Sequence, residues 1–262
     1  MKKMLSVLML SATLGFGASL ASAGPINVGG VVWDPDSGLD FVVQALQMRE
    51  TSVAAVGDEL SGAGRVGQIN GDQDNFCPGC NLTFTFSGYL VQDIVGSQLA
   101  FSGGTVQFYV DNTSSFSQLD TSTWGIGDEW LTLVGVEHIR GTFFGGSVQA
   151  TLFSNITGTI DAPEAGSDGF GLLDVAGGIA APYIVRDQFI TGIGGFADLS
   201  LSSEFQTDDA LESHPIQGSA TIRGETQRIP EPSMLVLLGT GLLFLALVGT
   251  RRRGNRSGNM EA

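Results

Sequence analysis

The residues between the two ends of this 262-residue chain predict an all-β body, a single sandwich or jelly-roll-like domain. Three observations carry that expectation. Apolar and polar residues alternate with period two in several runs, Gly-containing turn pairs recur between the runs, and almost nothing holds a 3.6-residue apolar period over a helix length. Leu82, Phe84 and Phe86 alternate with Thr83, Thr85 and Ser87, and Val148, Ala150 and Leu152 with Gln149 and Thr151. Further on, Leu199, Leu201 and Phe205 alternate with Asp198, Ser200, Ser202 and Glu204, and Ala220 and Ile222 with Thr221 and Arg223 in what reads as the last strand. Residues 106–110 and 130–136 are apolar on both faces and suit central strands. Breaks are expected at Asn70-Gly71, Ser87-Gly88, Ser102-Gly103-Gly104, Gly145-Gly146 and Asp168-Gly169. Residues 39–48 are the one helix candidate, although their apolar positions also suit a strand, and residues 161–178 read as a long Gly-rich loop or irregular strand.

Both ends read as targeting segments. Lys2 and Lys3 precede an apolar run, and Ala21-Ser22-Ala23 forms a small-residue cleavage box, so residues 1–23 are a signal peptide and the mature protein starts at Gly24. At the other end, Pro230-Glu231-Pro232 leads into residues 234–250, which carry no ionisable side chain, and Arg251, Arg252 and Arg253 follow. As a helix this stretch reaches roughly 25 Å, enough for a thin bilayer core. The arginines hold the C-terminal side in the cytoplasm and place the body outside. The expected organisation is a signal peptide (1–23), an exported β-domain (24–228), a segment with a transmembrane helix (229–253) and a cytoplasmic tail (254–262).

The order Pro230-Glu231-Pro232, apolar span, Arg251 to Arg253 resembles the PEP-CTERM sorting signal of Gram-negative bacterial surface proteins. That resemblance covers about 25 residues and implies processing by exosortase, a membrane protease-transferase, with the chain anchored first and then placed at the cell surface or outside it. The same signal also carries the label of an ice-binding protein C-terminal domain; the body shows no regular Thr array to go with it. Residues 75–88, 171–178 and 197–205 look like pieces of PEP-CTERM proteins associated with flocculation and exopolysaccharide. This second resemblance implies a matrix-associated role without catalysis, with exopolysaccharide as a partner.

Charge narrows the partners further. Residues 24–228 hold six arginines, no lysine and 25 carboxylates, a formal charge of −19. Such a body repels phosphate backbones, so nucleic acid is not an expected partner, while neutral polysaccharide and divalent cations are compatible with it.

No stretch carries a strong catalytic signature, and neither cofactor nor metal is expected. Cys77-Pro78-Gly79-Cys80 has three readings: a redox pair, half a zinc site completed by His138 or His214, or a disulfide that pins a turn. The strand pattern following Cys80 lacks the helix a redox motif needs, and we expect the disulfide. Gly62-Ala63-Gly64-Arg65-Val66-Gly67 has dinucleotide-loop spacing without the strand–turn–helix context, and reads as a flexible loop. Residues 34–40 and 70–75 crowd oxygen donors as calcium loops do, yet without that motif's pattern; Asx turns explain them more simply. Trp33, Trp124 and Trp130 suit either a core or a sugar-stacking platform. A surface or matrix component is therefore the leading reading. A secreted carbohydrate-active hydrolase and a calcium-dependent glycan-binding module are the alternatives.

Overall fold

Three of the four alternating runs become staves of a single antiparallel sheet that closes on itself; the fourth, residues 148–152, divides between a short strand of a separate hairpin and the start of a stave. A computed structural model of the chain describes residues 24–113, 116–227 and 240–242, apart from the side chain of Leu46. Pro25–Arg228 forms one unit; of the other, Met1–Gly24 with Ile229–Ala262, only Gly24 and a helical turn at 240–242 are described. The strands are β1 (Ile26–Val28), β2 (Val31–Trp33), β3 (Phe41–Glu50), β4 (Glu59–Ile69), β5 (Asn81–Val95), β6 (Gln98–Asp111), β7 (Asp128–Gly135), β8 (His138–Ile139), β9 (Gln149–Ala150), β10 (Leu152–Asn155), β11 (Ser167–Gly177), β12 (Phe189–Ile190), β13 (Phe196–Ala197), β14 (Leu199–Thr207) and β15 (Ile216–Gly224).

Nine of them form the main sheet, in the order β10-β11-β14-β15-β3-β4-β5-β6-β7, and pairings of β10 with β6 and of β7 with β11 close it. Strands β7 and β10 share one place in the wall. β10 bridges β11 to residues 98–101 of β6, and β7 bridges β11 to residues 105–110 of the same strand. The all-β expectation holds. In place of the two packed sheets of a sandwich or jelly roll stands one closed sheet, which leaves no long edge to pair with other chains.

Glycines that read as turns are what bend the sheet. Gly88, Gly103 and Gly104 all have positive φ, yet they lie inside the long paired strands β5 and β6, where Tyr89 faces Gly103. A Cβ on Gly104 would stand inside the Tyr89 ring, so the glycine makes room for it. Kinks at one level of two neighbouring strands turn a barrel corner. The reversal itself comes later, at Gly96 and Ser97.

Local structure decides three other readings. Residues 39–48 are not helical: β3 carries register shifts around residues 44–47, and the extra residue moves its buried positions from Val43 and Ala45 to Met48 and Glu50. That spacing imitates a helical period. Residues 62–67 are a strand interior, not a flexible loop. Gly62 and Gly64 face Phe86 and Phe84 across the β4–β5 ladder, and a Cβ at either would lie 2.7 Å or less from the facing ring. Of the two readings of residues 161–178, the irregular strand holds for 167–177: they form β11, the strand that closes the barrel, with a register shift between Val175 and Gly177.

The barrel interior is the main core. Leu82, Phe84, Phe86, Val106, Phe108, Val110, Leu133, Leu173 and Leu199 are buried there as the alternation requires. Consecutive Trp130 and Leu131 are both buried because β7 bulges at this point, pairing Leu131 with Phe108 but Glu129 with Tyr109. The β1–β2 hairpin joins this core through Val28, Val31 and Trp33, whose indole packs edge-on to Trp130 at 5.9 Å and donates to Thr226 Oγ1 at 3.0 Å.

Candidate functional site

A second, smaller core on the outside of the barrel builds a polar groove. In-register partners form a row across the outer wall, Ala100–Phe153–Phe170–Ser202–Thr221, running from β6 through β10, β11 and β14 to β15. Residues 138–150 fold over one end of this row. Phe143 and Ala150 pack on Ala100 and Phe153, and His138 meets Phe153 and Phe170 edge-on, with centroids 5.2 and 5.6 Å away. Burial lowers the His138 pKa, and its Nδ1 lies 3.0 Å from the Val136 carbonyl oxygen. This histidine packs in the cover, with Nε2 lacking a hydrogen-bond partner among the described residues.

Arg140 stands where the cover stops. Its guanidinium carbon lies 4.2 Å from the Phe170 ring centre and 5.1 Å from that of Phe143, stacked between cover and wall. Beyond it opens a groove of about 350 Å³, lined by Arg140, Asp168, Phe170, Ser202, Glu204, Ser219 and Thr221. Asp168 faces Glu204, and Glu204 faces Ser219, one row away from Phe170–Ser202–Thr221. Two rows of outward side chains therefore offer two carboxylates and three hydroxyls above a floor whose intervening inward positions are Gly169, Ser203 and Ala220. Carboxylates accept paired hydrogen bonds and hydroxyls both donate and accept, a set suited to a polyhydroxylated, uncharged ligand.

The interior offers less room. Two chambers of about 50 and 40 Å³ share Leu60, Leu152 and Ser203 as walls. The Tyr89 hydroxyl lines the larger one without a hydrogen-bond partner among the described residues, and burial raises its pKa. Glu50 lines the smaller, and burial alone pushes its carboxyl up to about 8. Chambers of this size hold a few waters at most.

The residues singled out in the sequence fall as follows. Cys77 and Cys80 form a disulfide with Cα atoms 5.2 Å apart, and their loop packs on the β1–β2 hairpin, where Val32 N–H donates to the Phe76 carbonyl at 2.7 Å. The two oxygen-rich turns meet: Asn70 Nδ2 donates to the carbonyls of Asp34 and Asp40, at 3.1 and 2.5 Å. Asp72 Oδ1 accepts from the backbone of Asp74 and Asn75, and the Asn75 bond holds its carboxyl low. These carboxylates build Asx turns, and no metal-binding group of three or more His, Cys, Asp or Glu occurs among the described residues. Trp33 and Trp130 belong to the core, while Trp124 stacks edge-on to His214 at 4.6 Å, so the three form no common platform. Ala21 and Ala23, Pro230, Glu231 and Pro232, and Arg251, Arg252 and Arg253 lie outside the described residues. Among the described residues no helix is long and apolar enough to cross a membrane.

Sequence reasoning missed the groove. Arg140, Asp168, Phe170 and Glu204 come from a cover loop and two strands, so no local motif unites them; only strand register does.

Known proteins add no further constraint. The chain matches no family model, no curated protein and no solved structure.

Proposed function

We propose that this chain is an exported surface or extracellular-matrix protein, anchored through its C-terminal segment and then processed by an exosortase-type enzyme, acting without catalysis. The observation that carries the reading is the order of parts: a signal-peptide pattern, then a β body, then Pro230-Glu231-Pro232, the apolar run and Arg251 to Arg253. The barrel has the character of a display scaffold: closed, strongly acidic and free of lysine. Its outer groove is the place where neutral exopolysaccharide binds, with Asp168, Glu204 and the Ser202, Ser219 and Thr221 hydroxyls as hydrogen-bonding partners.

Two facing carboxylates also raise the alternative of a glycoside hydrolase. Asp168 and Glu204 sit on neighbouring strands of one wall and so approach a sugar from the same side. Hydrolysis requires carboxyl groups that flank the scissile bond, which favours binding over cleavage here.

Affinity electrophoresis through gels containing the producing cells' neutral polysaccharide tests the groove. Wild type is retarded, and the double variant Asp168→Asn, Glu204→Gln loses roughly tenfold or more in apparent affinity, as the removal of charge-assisted hydrogen bonds implies. Equal retardation of the two proteins, each measured against its own mobility in a polysaccharide-free gel, rules the groove out as the contact.

A further inference from the structure

Residues 188–197 carry no ionisable side chain, in a body otherwise dense with carboxylates. Their ends pair as β12 and β13, with Ile190 opposite Phe196, so those side chains share a face. That face is bare: Ile190 is 75 % exposed, Phe196 51 %, and Ile193 in the connecting turn 40 %. The stem below is firmly tied. Asp198, itself buried, accepts hydrogen bonds from the backbone of Val175 and Asp187 and from Arg186 Nη1, each at 2.9 Å. Ile139 N–H adds a bond to the Thr191 carbonyl at 3.0 Å. A rigid stem that presents neighbouring large apolar side chains to solvent marks a contact surface.

This hairpin lies at the end of the barrel from which the chain leaves. The last paired residues of the body lie beside the segment that feeds it: Val185 N–H donates to the Glu225 carbonyl at 2.9 Å, and Gln227 N–H to that of Tyr183 at 2.7 Å. Register agrees, because Leu173 pairs with Leu199, Ser200 with Arg223 and Arg223 with Val42, which puts hairpin and chain exit at one end of the barrel. From Gln227 the chain needs only seven steps to Met234, where the apolar run begins. Fully extended they span roughly 24 Å, so the exit end of the body cannot stand far from a membrane that holds that run. An uncharged tip on an acidic body favours a zwitterionic surface over an anionic one.

We propose that the 188–197 hairpin dips Ile190, Ile193 and Phe196 into the interfacial layer of the bilayer that anchors the unprocessed chain. The proposal rests on the anchored-precursor reading above. It assigns the hairpin a task in that state: orienting the barrel end toward the membrane surface.

The test uses the full chain with its C-terminal segment intact, in phosphatidylcholine nanodiscs. An Ile193→Cys variant carries an environment-sensitive fluorophore; the native cysteines are already paired with each other. A Val56→Cys variant is the reference, because Val56 is 62 % exposed and follows Glu50, at the opposite end of β3 from the Phe41–Gly224 pair at the chain exit. The expected result is blue-shifted emission at position 193 that spin-labelled lipid quenches, with water-like emission at position 56. Water-like emission at 193 in discs that hold the protein overturns the hairpin's role and leaves the anchor standing. A blue shift without lipid that grows with protein concentration overturns it too, in favour of a second copy covering the tip. Failure of the chain to enter the discs removes both the anchor and the proposal.

Discussion

Replacing Glu50 by glutamine should make the protein more stable at neutral pH and change little in acid. The Glu50 carboxyl is buried, and its pKa rises from 4.5 to about 8 through desolvation. Because the folded-state value lies above the unfolded one, the folded protein keeps a proton that the unfolded chain releases between these limits. Stability is therefore full below about pH 4.5, falls as pH rises, and levels off above about pH 8. At ~1.4 kcal/mol per pH unit, the cost reaches about 3 kcal/mol at pH 7 and about 5 kcal/mol at the plateau. Glutamine fills nearly the same space and carries no charge at any pH. Urea unfolding followed by tryptophan fluorescence, which buried Trp33 and Trp130 make sensitive, reads the difference between the two proteins. Other carboxylates, such as Asp58 with its lowered pKa, cancel in that difference. The expected gap is near zero at pH 4 and about 3 kcal/mol in favour of the variant at pH 7. Parallel stability profiles for the two proteins from pH 4 to 8 would refute the reasoning.

Three further substitutions test the barrel itself. Gly64→Ala places a Cβ 2.5 Å from the Gln47 carbonyl oxygen and 2.4 Å from the Phe84 ring, and should cost about 2–3 kcal/mol. Gly71→Ala, which meets open space at φ +83°, should cost only the backbone strain of roughly 1 kcal/mol, and thermal melts distinguish the pair. Asp208→Ala takes from the buried Arg49 guanidinium its carboxylate partner at 2.6 Å and leaves the bond to the residue-208 backbone carbonyl at 2.7 Å. The Asp208 side chain is 32 % exposed, so the expected loss is discounted to roughly 2–3 kcal/mol, measured by urea midpoint.

Much of the fold was legible because burial on one side of a wall writes period two into a strand. Leu82, Phe84 and Phe86 face inward as that rule requires. The rule misleads where the ladder is irregular. The shifts in β3 give its apolar residues a helical spacing, and the bulge in β7 buries Trp130 next to Leu131. Glycine misleads in the other direction. Gly88, Gly103 and Gly104 look like turn residues, yet they bend paired strands; Gly62 and Gly64 read as part of a flexible loop, yet they accommodate the Phe86 and Phe84 rings. Sandwich and barrel share one sequence pattern, since closure depends on which strands pair last, and the β7–β11 and β10–β6 pairings leave no local trace. The groove was illegible for the same reason: Arg140 reaches Phe170 through a fold-back of the chain, and Asp168 meets Glu204 only through the β11–β14 register.

The central claim is that both ends of the chain are handles and that the β body alone is the finished product. Intact-mass spectrometry of the native protein from wild-type cells tests it most directly. The account predicts a chain that begins at Gly24 and has lost Arg251, Arg252 and Arg253, with any added mass reporting what the processing enzyme attached. A mature protein that keeps the arginine cluster would contradict it.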